Sequence, residues 1–576
     1  MAFNLGGFSF DPETGEYRKA PNAGGPNPPR AKKPPKSKGK RMFISILITL
    51  VFGLIYYYFE LPALNIHSGS LYAFIVMLCV VYCVCELVTS GFSATSPRDY
   101  VSHLRKKTAI PFYIICACAL VVLVGTLIGW KVFRARDYAN LISVENGDFA
   151  SEVAEISFDQ IPMLDKDSAN VLANRKLGEL SDLVSQFVVY GDSYQINYQN
   201  RPVRVTYLNY GDFFKWWGNQ KDGIPAYMVV DMVTQDVSVK RIDQGIRYSP
   251  SEYFFRDLNR HLRMKYPTKM FTDVNFEINE DGQPYWVATV ITPKIGLFGG
   301  MDAIGAILMD AVTGECTYYD VADVPTWVDR VFNADMLLSQ YDSHGLYQSG
   351  FLNSLFGQSG CTKTTAGYNY IAQDDDVWVY TGITSVSADQ GNIGFILVNQ
   401  RTKEAKYYSC AGAEELSAMT SAQGALQQYS YAATFPLLLN IGGQPTYFIP
   451  MKDASGLVKM YAMVNVQQSQ IVATGNSVGD CTVNYKELLL ENGFIDESVV
   501  IVPDTTSTKT GTIAELRYAV IEGNTRCFIR LDGDDTFWWV SAASDPAVII
   551  LNVGDKVTMT YEDVEGDLLP AVSIKK

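Results

Sequence analysis

The sequence predicts three membrane-spanning helices, then an α+β region of repeated helix-plus-hairpin units, then a small β-barrel of SH3 or OB type. Three observations carry this fold class. Apolar runs at 42–59, 71–90 and 110–130 are each about long enough to cross a hydrocarbon core ~30 Å thick as a helix. A strand–turn–strand pattern closed by Asp or Asn recurs four times between positions 226 and 472. The last segment, 512–576, holds short β-prone runs parted by acidic, Gly-containing turns.

Residues 1–41 form a tail rich in Pro, Gly and Lys, which lacks the apolar surface to fold and is expected to be a disordered arm. A tail of that length ahead of the first apolar run argues for a retained span rather than a cleaved signal peptide. Flanking basic residues set the orientation, because Lys and Arg are held on the cytoplasmic side. The tail carries nine, the loop 60–70 none and the loop 91–108 four (Arg98, Arg105, Lys106, Lys107). Tail and second loop are therefore expected inside, and everything after 130 outside. Lys131, Arg134 and Arg136, just past the third span, run against this bias. The basic run of the tail reads as a contact for anionic lipid rather than nucleic acid, since no aromatic or Gly-rich binding pattern accompanies it.

Charge divides the chain in the same place. Residues 1–130 hold 13 Lys and Arg against 6 Asp and Glu, and the rest 34 against 55. An outer part with a net charge of −21 excludes nucleic acid as its natural partner. Five cysteines (Cys79, Cys83, Cys85, Cys116, Cys118) fall in the spans and five (Cys316, Cys361, Cys410, Cys481, Cys527) are scattered outside without zinc-site spacing, so they read as small apolar residues. The absence of Asn-x-Ser/Thr beyond 130 favours a bacterial envelope.

Residues 131–183 read as a helical juxtamembrane connector, followed by two α+β regions at 184–345 and 346–500. The clearest hairpin is 303–319 (AIGAILMDAVTGECTYY), which 392–408 (NIGFILVNQRTKEAKYY) matches almost position for position; 226–239 and 459–472 are looser copies. Asp231, Asp310, Asn399 and Asn465 follow the outgoing strands, where a side-chain oxygen can accept from the backbone two residues on and start a turn. Before the second copy, Ser249, Pro250 and Glu252 read as a capping box for a helix with Phe254, Leu258, Leu262 and Tyr266 on one face, ended by Pro267. A second helix is expected across 413–431. A polar linker, 501–511, then leads to the terminal barrel.

Asp310-Ala-Val-Thr-Gly-Glu315 resembles the hairpin of PepSY-like domains, small α+β units of bacterial envelope proteins. The first copy lacks the Gly, the third has Lys403 there, and the fourth loses both Thr and Gly. The resemblance extends over about Val184 to Thr474 and, with the spans, is similar to a family of bacterial membrane proteins built from three spans and such repeats. It implies regulation of peptidases or assembly at the cell surface, and it brings no catalytic residues.

Chemistry is sparse. Gly475-Asn-Ser477-Val-Gly479 fits the G-x-S-x-G nucleophile pattern, but His67, His103, His261 and His344 all precede it, and a hydrolase of that type needs His after Ser. Ser477 therefore reads as a loop residue. Asp374–Asp376 and Asp532–Asp535 lack EF-hand spacing and read as solvated turn acids. Glu86 is the ionisable group within a span and reads as structural, near an interface. The clusters Phe213-Phe-Lys-Trp-Trp217 and Phe537-Trp-Trp539 read as core or strand pairs, with a grip on sugar or peptide as the sharper alternative. No catalytic, cofactor or metal residue is assigned. The expectation is a non-enzymatic membrane protein whose outer domains act as an interaction scaffold or regulator for envelope proteins. An accessory subunit of a transport or secretion system and a membrane-anchored hydrolase with an unrecognised site are the alternatives.

Overall fold

A computed structural model describes residues 8–10, 17–19, 38–90, 108–155, 161–373, 376–386, 391–495, 506–521, 524–534, 536–542, 546–562 and 568–576. The chain divides into two units, Met1–Leu127 and Ile128–Lys576.

In the first unit, helices Lys38–Glu60, Gly69–Ser90 and Ala109–Ile128 are long and apolar enough to cross a membrane. The first two pack together at Gly53, where a Cβ would lie 2.9 Å from a methyl of Leu78. Tyr56 stacks on Phe74 nearby, ring centres 5.5 Å apart. A small residue at a helix crossing lets two backbones approach closely in lipid. The disordered-arm expectation needs correction in one place: Phe8–Phe10 and Tyr17–Lys19 pair antiparallel, Phe10 opposite Tyr17. The alternation Phe8-Ser-Phe10 and the aromatic pair Phe10–Tyr17 suit a strand pair better than a solvated coil. The rest of the tail before 38 and the loop 91–107 lie outside the described residues.

Among the described residues, the second unit contains four sheets, antiparallel but for one edge strand of the third. The first joins Phe187–Val189, Tyr194–Tyr198, Arg201–Tyr210, Ile224–Asp231 and Val237–Ile246. The second is Met270–Ile278, Pro284–Ile295, Gly299–Asp310 and Cys316–Asp320. The third runs from Thr362–Thr364 and Asn369–Gln373 through Asp376–Ser385, Gly391–Asn399 and Ala405–Ala413. Val144–Gly147, in the segment expected to be a helical connector, joins it as a parallel edge strand beside Ala405–Ala413. The fourth is Ala432–Ala433, Leu437–Ile441, Gln444–Lys452, Val458–Asn465 and Val472–Gly475.

These sheets share cores. Trp286, Ala288 and Val290 pack with the first sheet and helices Lys166–Gly178 and Leu258–Lys265. Val287, on the opposite face of the same strand, packs with Val379, Ile396 and Val398 of the third sheet. Phe395 and Leu397 turn the other way, onto Leu438 and Phe448 of the fourth. Strands buried on both faces must be apolar at successive positions rather than alternately, and this accounts for the runs Trp286-Val-Ala and Phe395-Ile-Leu-Val. The helix-plus-hairpin units expected from the sequence are thus covered only in part by helices, because another sheet covers much of the second and third.

All four expected hairpin turns form. The Asp231 Oδ1 accepts from the N–H groups of Val233 and Thr234 (2.8 and 2.9 Å), and the Asp310 Oδ1 from Val312 and Thr313 (both 2.8 Å). Asn399 Oδ1 does the same for Arg401 and Thr402 (2.8 and 2.9 Å), and Asn465 Oδ1 accepts from Gln468 N–H at 2.9 Å. Four residues after the first three turn starters, Gln235, Gly314 and Lys403 occupy the same left-handed backbone, φ +65°, +73° and +68°. One turn geometry is therefore kept with three different residues.

The capping box at Ser249 does not start a helix. Glu252 is drawn into the core by other donors, so Asp257 caps instead, its Oδ1 accepting from Arg260 N–H at 2.9 Å, and the helix is Leu258–Lys265. Phe254 and Tyr266 lie outside it. The helix expected over 413–431 is Glu415–Ala425, with a short 3-10 turn after it.

The last five strands, Thr506–Ile521, Asn524–Leu531, Phe537–Ser541, Lys556–Glu562 and Leu568–Lys575, pair in a ring. The first pairs with the second and fourth, and the third and fifth close the ring in parallel. Residues 506–511, expected as linker, belong to the first strand, because their Thr-rich sequence suits a pleated surface; Thr510 meets Thr558 across the ladder at 3.0 Å.

Candidate interaction surface

Asp212 builds the first part of the site. Its Oδ1 accepts from the N–H groups of Phe214 and Lys215 (2.9 and 3.0 Å) and starts the short helix Phe213–Asn219. Two turns of Phe-Phe-Lys-Trp-Trp cannot turn every ring inward. Trp216 is 3% exposed and Trp217 62%. The inward indole donates from Nε1 to Glu252 Oε2 at 2.7 Å, and the hydroxyl of Tyr210 donates to Glu252 Oε1 at 2.8 Å. Burial pushes the Glu252 carboxyl above its ordinary range, and these two donors pull it back toward the ionised form.

Glu252 thereby fixes the next three residues. Tyr253 packs against Trp216 (ring centres 4.6 Å) and edge-on to Phe213 (5.2 Å). Phe254 sits at φ +56°, a backbone that bulky residues adopt at a cost of about 1–3 kcal/mol and that clusters at functional sites. Arg256 ties the segment down by donating from Nη1 to Gln220 O at 2.6 Å. The outcome is a platform of exposed rings, Phe213, Phe214, Trp217, Tyr253, Phe254 and Phe255, with Phe214 83% exposed. The core reading of Phe213–Trp217 is right for Trp216 and wrong for its neighbours. Tyr253–Phe255 were missed, although adjacent Phe254 and Phe255 cannot both lie on one helix stripe, and that was the available signal. A rigid aromatic surface offers apolar and π contact, and its carboxyl lies beneath the floor.

The other flagged residues take structural places. Ser477 caps the helix Val478–Glu491, its Oγ accepting from Asp480 N–H at 3.0 Å. Asp376 is held by Arg401 (Nε–Oδ1 2.5 Å, Nη2–Oδ2 2.7 Å) and by Asn399 Nδ2 at 2.8 Å. Asp374, Asp375 and Asp535 lie outside the described residues. Asp534 pairs with Lys509 at 2.7 Å. Trp538 is buried in the ring and packs on Tyr561, while Trp539 faces the Arg526 guanidinium at 4.3 Å. His261 donates from Nε2 to Gly314 O at 2.8 Å, which ties it to a hairpin turn. Glu86 is buried within the second apolar helix. Among the described residues no group of three His, Cys, Asp or Glu side chains is placed to hold a metal ion.

A second polar cluster lies deeper. Glu277 Oε2 accepts from Asp329 N–H at 3.0 Å, and Asp329 Oδ2 from Asn197 N–H at 2.7 Å. Arg330 donates from Nε to Gln195 O at 3.3 Å and covers the ring of Tyr370 at 4.6 Å. Burial pushes the Glu277 carboxyl up to about 7, and Asp329 is raised well above the carboxylate range by burial and by Glu277. A nearby cavity lined by Asp165, Gln195, Asn369 and Tyr370 has a volume of about 20 Å³, space for a single water. Both carboxyls are enclosed, and the cluster ties the first, second and third sheets together.

No family model matches the chain, and no curated protein matches it. Among solved structures, an exo-beta-1,3-galactanase from Phanerochaete chrysosporium with beta-1,3-galactotriose shows 10% identity over 67% of this chain and 80% of that one. Its TM-score is 0.18, too low to carry an argument. The three apolar helices define the class: a membrane protein with a β-sheet-rich region after its spans.

Proposed function

We propose that this is a non-enzymatic integral membrane protein whose PepSY-like units face outward from the cell membrane as an interaction scaffold or regulator for envelope proteins. The aromatic platform on Glu252 carries this reading. Six exposed rings on a hydrogen-bonded floor are a costly surface to leave in water, and aromatic anchors held rigid by packing are what protein interfaces use as hot spots. The common register of the turns supports the repeat: Val230 pairs with Val237, Met309 with Cys316 and Val398 with Ala405. The terminal ring, with its third and fifth strands parallel, supports the OB type over SH3. The basic tail and the basic second loop support a cytoplasmic N-terminus, where the tail meets anionic lipid.

Two measurements test the reading. A photo-reactive benzoylphenylalanine at Phe214 of the full chain, irradiated in intact cells, is expected to give an adduct with a discrete envelope protein; its absence removes the scaffold role of this surface. A membrane-impermeant thiol reagent is expected to label Lys221→Cys in intact cells and Ser37→Cys only after permeabilisation. The reverse pattern overturns the orientation.

A further inference from the structure

We propose that the unit Ile128–Lys576 rests on the bilayer through a second, non-spanning contact: an apolar footing of Trp130, Phe133, Leu352, Leu355 and Phe356. The starting point is covalent. The third apolar helix ends at Ile128, so Trp130 lies at the level where an indole prefers to sit, between hydrocarbon and headgroup. Trp130 and Phe133 are both exposed, edge to face at 6.0 Å.

The short helix Lys131–Ala139 that follows is fixed to the helix Ala334–Tyr347. His344 Nδ1 donates to Ala139 O at 2.9 Å, and Tyr347 is buried with Ala135 and Ala139. The Lys131 ammonium lies 5.6 Å from the centre of the Tyr347 ring, which stacks on Phe351 at 6.2 Å. The end of Ala334–Tyr347 is therefore held against the residues that leave the span. There the chain makes a π-helical turn, Asn353–Gly357, locked by Asn353 Nδ2 donating to Ser359 O at 3.0 Å and ended by Gln358 at φ +48°. That turn holds Leu352, Leu355 and Phe356 outward, Phe356 82% exposed. Single-turn π segments commonly mark function.

Two further features fit a bilayer as the occupant. Within the unit, the residues that follow the span are pinned: Tyr138 donates to Gly129 O at 2.9 Å, and the hairpin tip comes so close that a Cβ on Gly296 would lie 3.0 Å from Gly129. Lys131, Arg134 and Arg136 are exposed beside the apolar residues, where their charges meet lipid phosphates. These are the residues that run against the orientation bias, and headgroup contact gives them a role on whichever side of the membrane they lie.

The test places benzoylphenylalanine singly at Phe133, Leu352 and Phe356 of the full chain, and at Thr234 as a control on an exposed hairpin turn. After irradiation in native membranes, phospholipid adducts are expected at the first three positions and not at 234. Adducts with protein alone, including a second copy of this chain, overturn the proposal, as does a lipid adduct at 133 without one at 352 or 356. A lack of adducts at all three overturns it as well. The readout is independent of the platform at Phe214, so this proposal and the scaffold reading fail separately.

Discussion

Glu252 holds two donors that have no water to turn to, the indole of Trp216 and the phenol of Tyr210, and it does so beneath rings that are in water. Replacing it with Ala leaves both donors buried without an acceptor. At about 1–3 kcal/mol for each group, the expected loss is about 2–6 kcal/mol, read as a fall in the unfolding midpoint of the full chain in detergent. Glu252→Gln keeps one acceptor oxygen and should lose about half as much. A change below about 0.5 kcal/mol for Glu252→Ala would mean that the platform does not depend on this carboxyl. Glu277 gives a pH prediction. Burial raises its carboxyl to about 7, above the ordinary value of an unfolded Glu, and raises the neighbouring Asp329 carboxyl as well, so the two titrate as a pair. Between about pH 4.5 and 7 the folded chain therefore binds more protons than the unfolded one, so this group's stabilisation is full at low pH and is lost as pH rises through that window. Glu277→Gln is expected to flatten the fall in melting temperature from pH 5 to 7.5. An unchanged slope would place the titration elsewhere.

At the scale of elements, the three matched turns separate what a motif requires from what a site adds. Gly314 sits at φ +73° with the Tyr248 ring 2.4–2.8 Å from where a Cβ would be. Gly314→Ala should cost about 2–4 kcal/mol, combining left-handed strain with overpacking. The repeat pattern suggests Gly at Lys403 as well, yet Lys403→Gly is expected to destabilise by about 1–3 kcal/mol. Its ammonium pairs with Asp302 of the neighbouring sheet at 2.7 Å, both ends largely buried, and losing it strands a carboxylate. A stabilised Lys403→Gly chain would show that strain outweighs the pair. Thermal melts of both variants decide this. The hairpins were legible because an Asx turn is written in five consecutive residues. The cap at Asp257 was not, since Ser249-Pro-Ser-Glu252 is the better local signal and loses because Tyr210 and Trp216, roughly forty positions earlier, claim the carboxyl. The tail shows the opposite case. Its strands pair Phe10 with Tyr17, the same seven-residue step as Met309 with Cys316, and the sequence between them, Asp11-Pro-Glu-Thr-Gly-Glu16, repeats the turn motif of Asp310–Glu315. That copy could have been found by scanning the tail for the turn rather than judging it by composition.

At the scale of the molecule, which face of a sheet meets which neighbour is settled by contacts among residues far apart in sequence, and no periodicity records it. The strand Pro284–Ile295 shows the consequence: Trp286 serves one core and Val287 the next, so loosening either is felt in both. The four sheets are joined further by polar ties, among them Lys403 with Asp302 and Ala413 N–H donating to Val466 O at 2.8 Å. They should therefore unfold together. The terminal ring differs, because its core (Ile513, Cys527, Ile529, Trp538, Val557 and Met559 among others) is drawn from its own strands. A closed five-stranded ring leaves no unpaired sheet edge, which gives it the means to stand alone. Calorimetry of the full chain in detergent is expected to show two transitions. Deleting 496–576 should remove one and leave the midpoint of the other within about 1 °C, since about 1 kcal/mol of lost coupling would move a transition of this size by roughly 2 °C. A larger downward shift of the remaining transition would mean that the ring braces the sheets, and the terminal unit would then belong to the scaffold rather than hang from it.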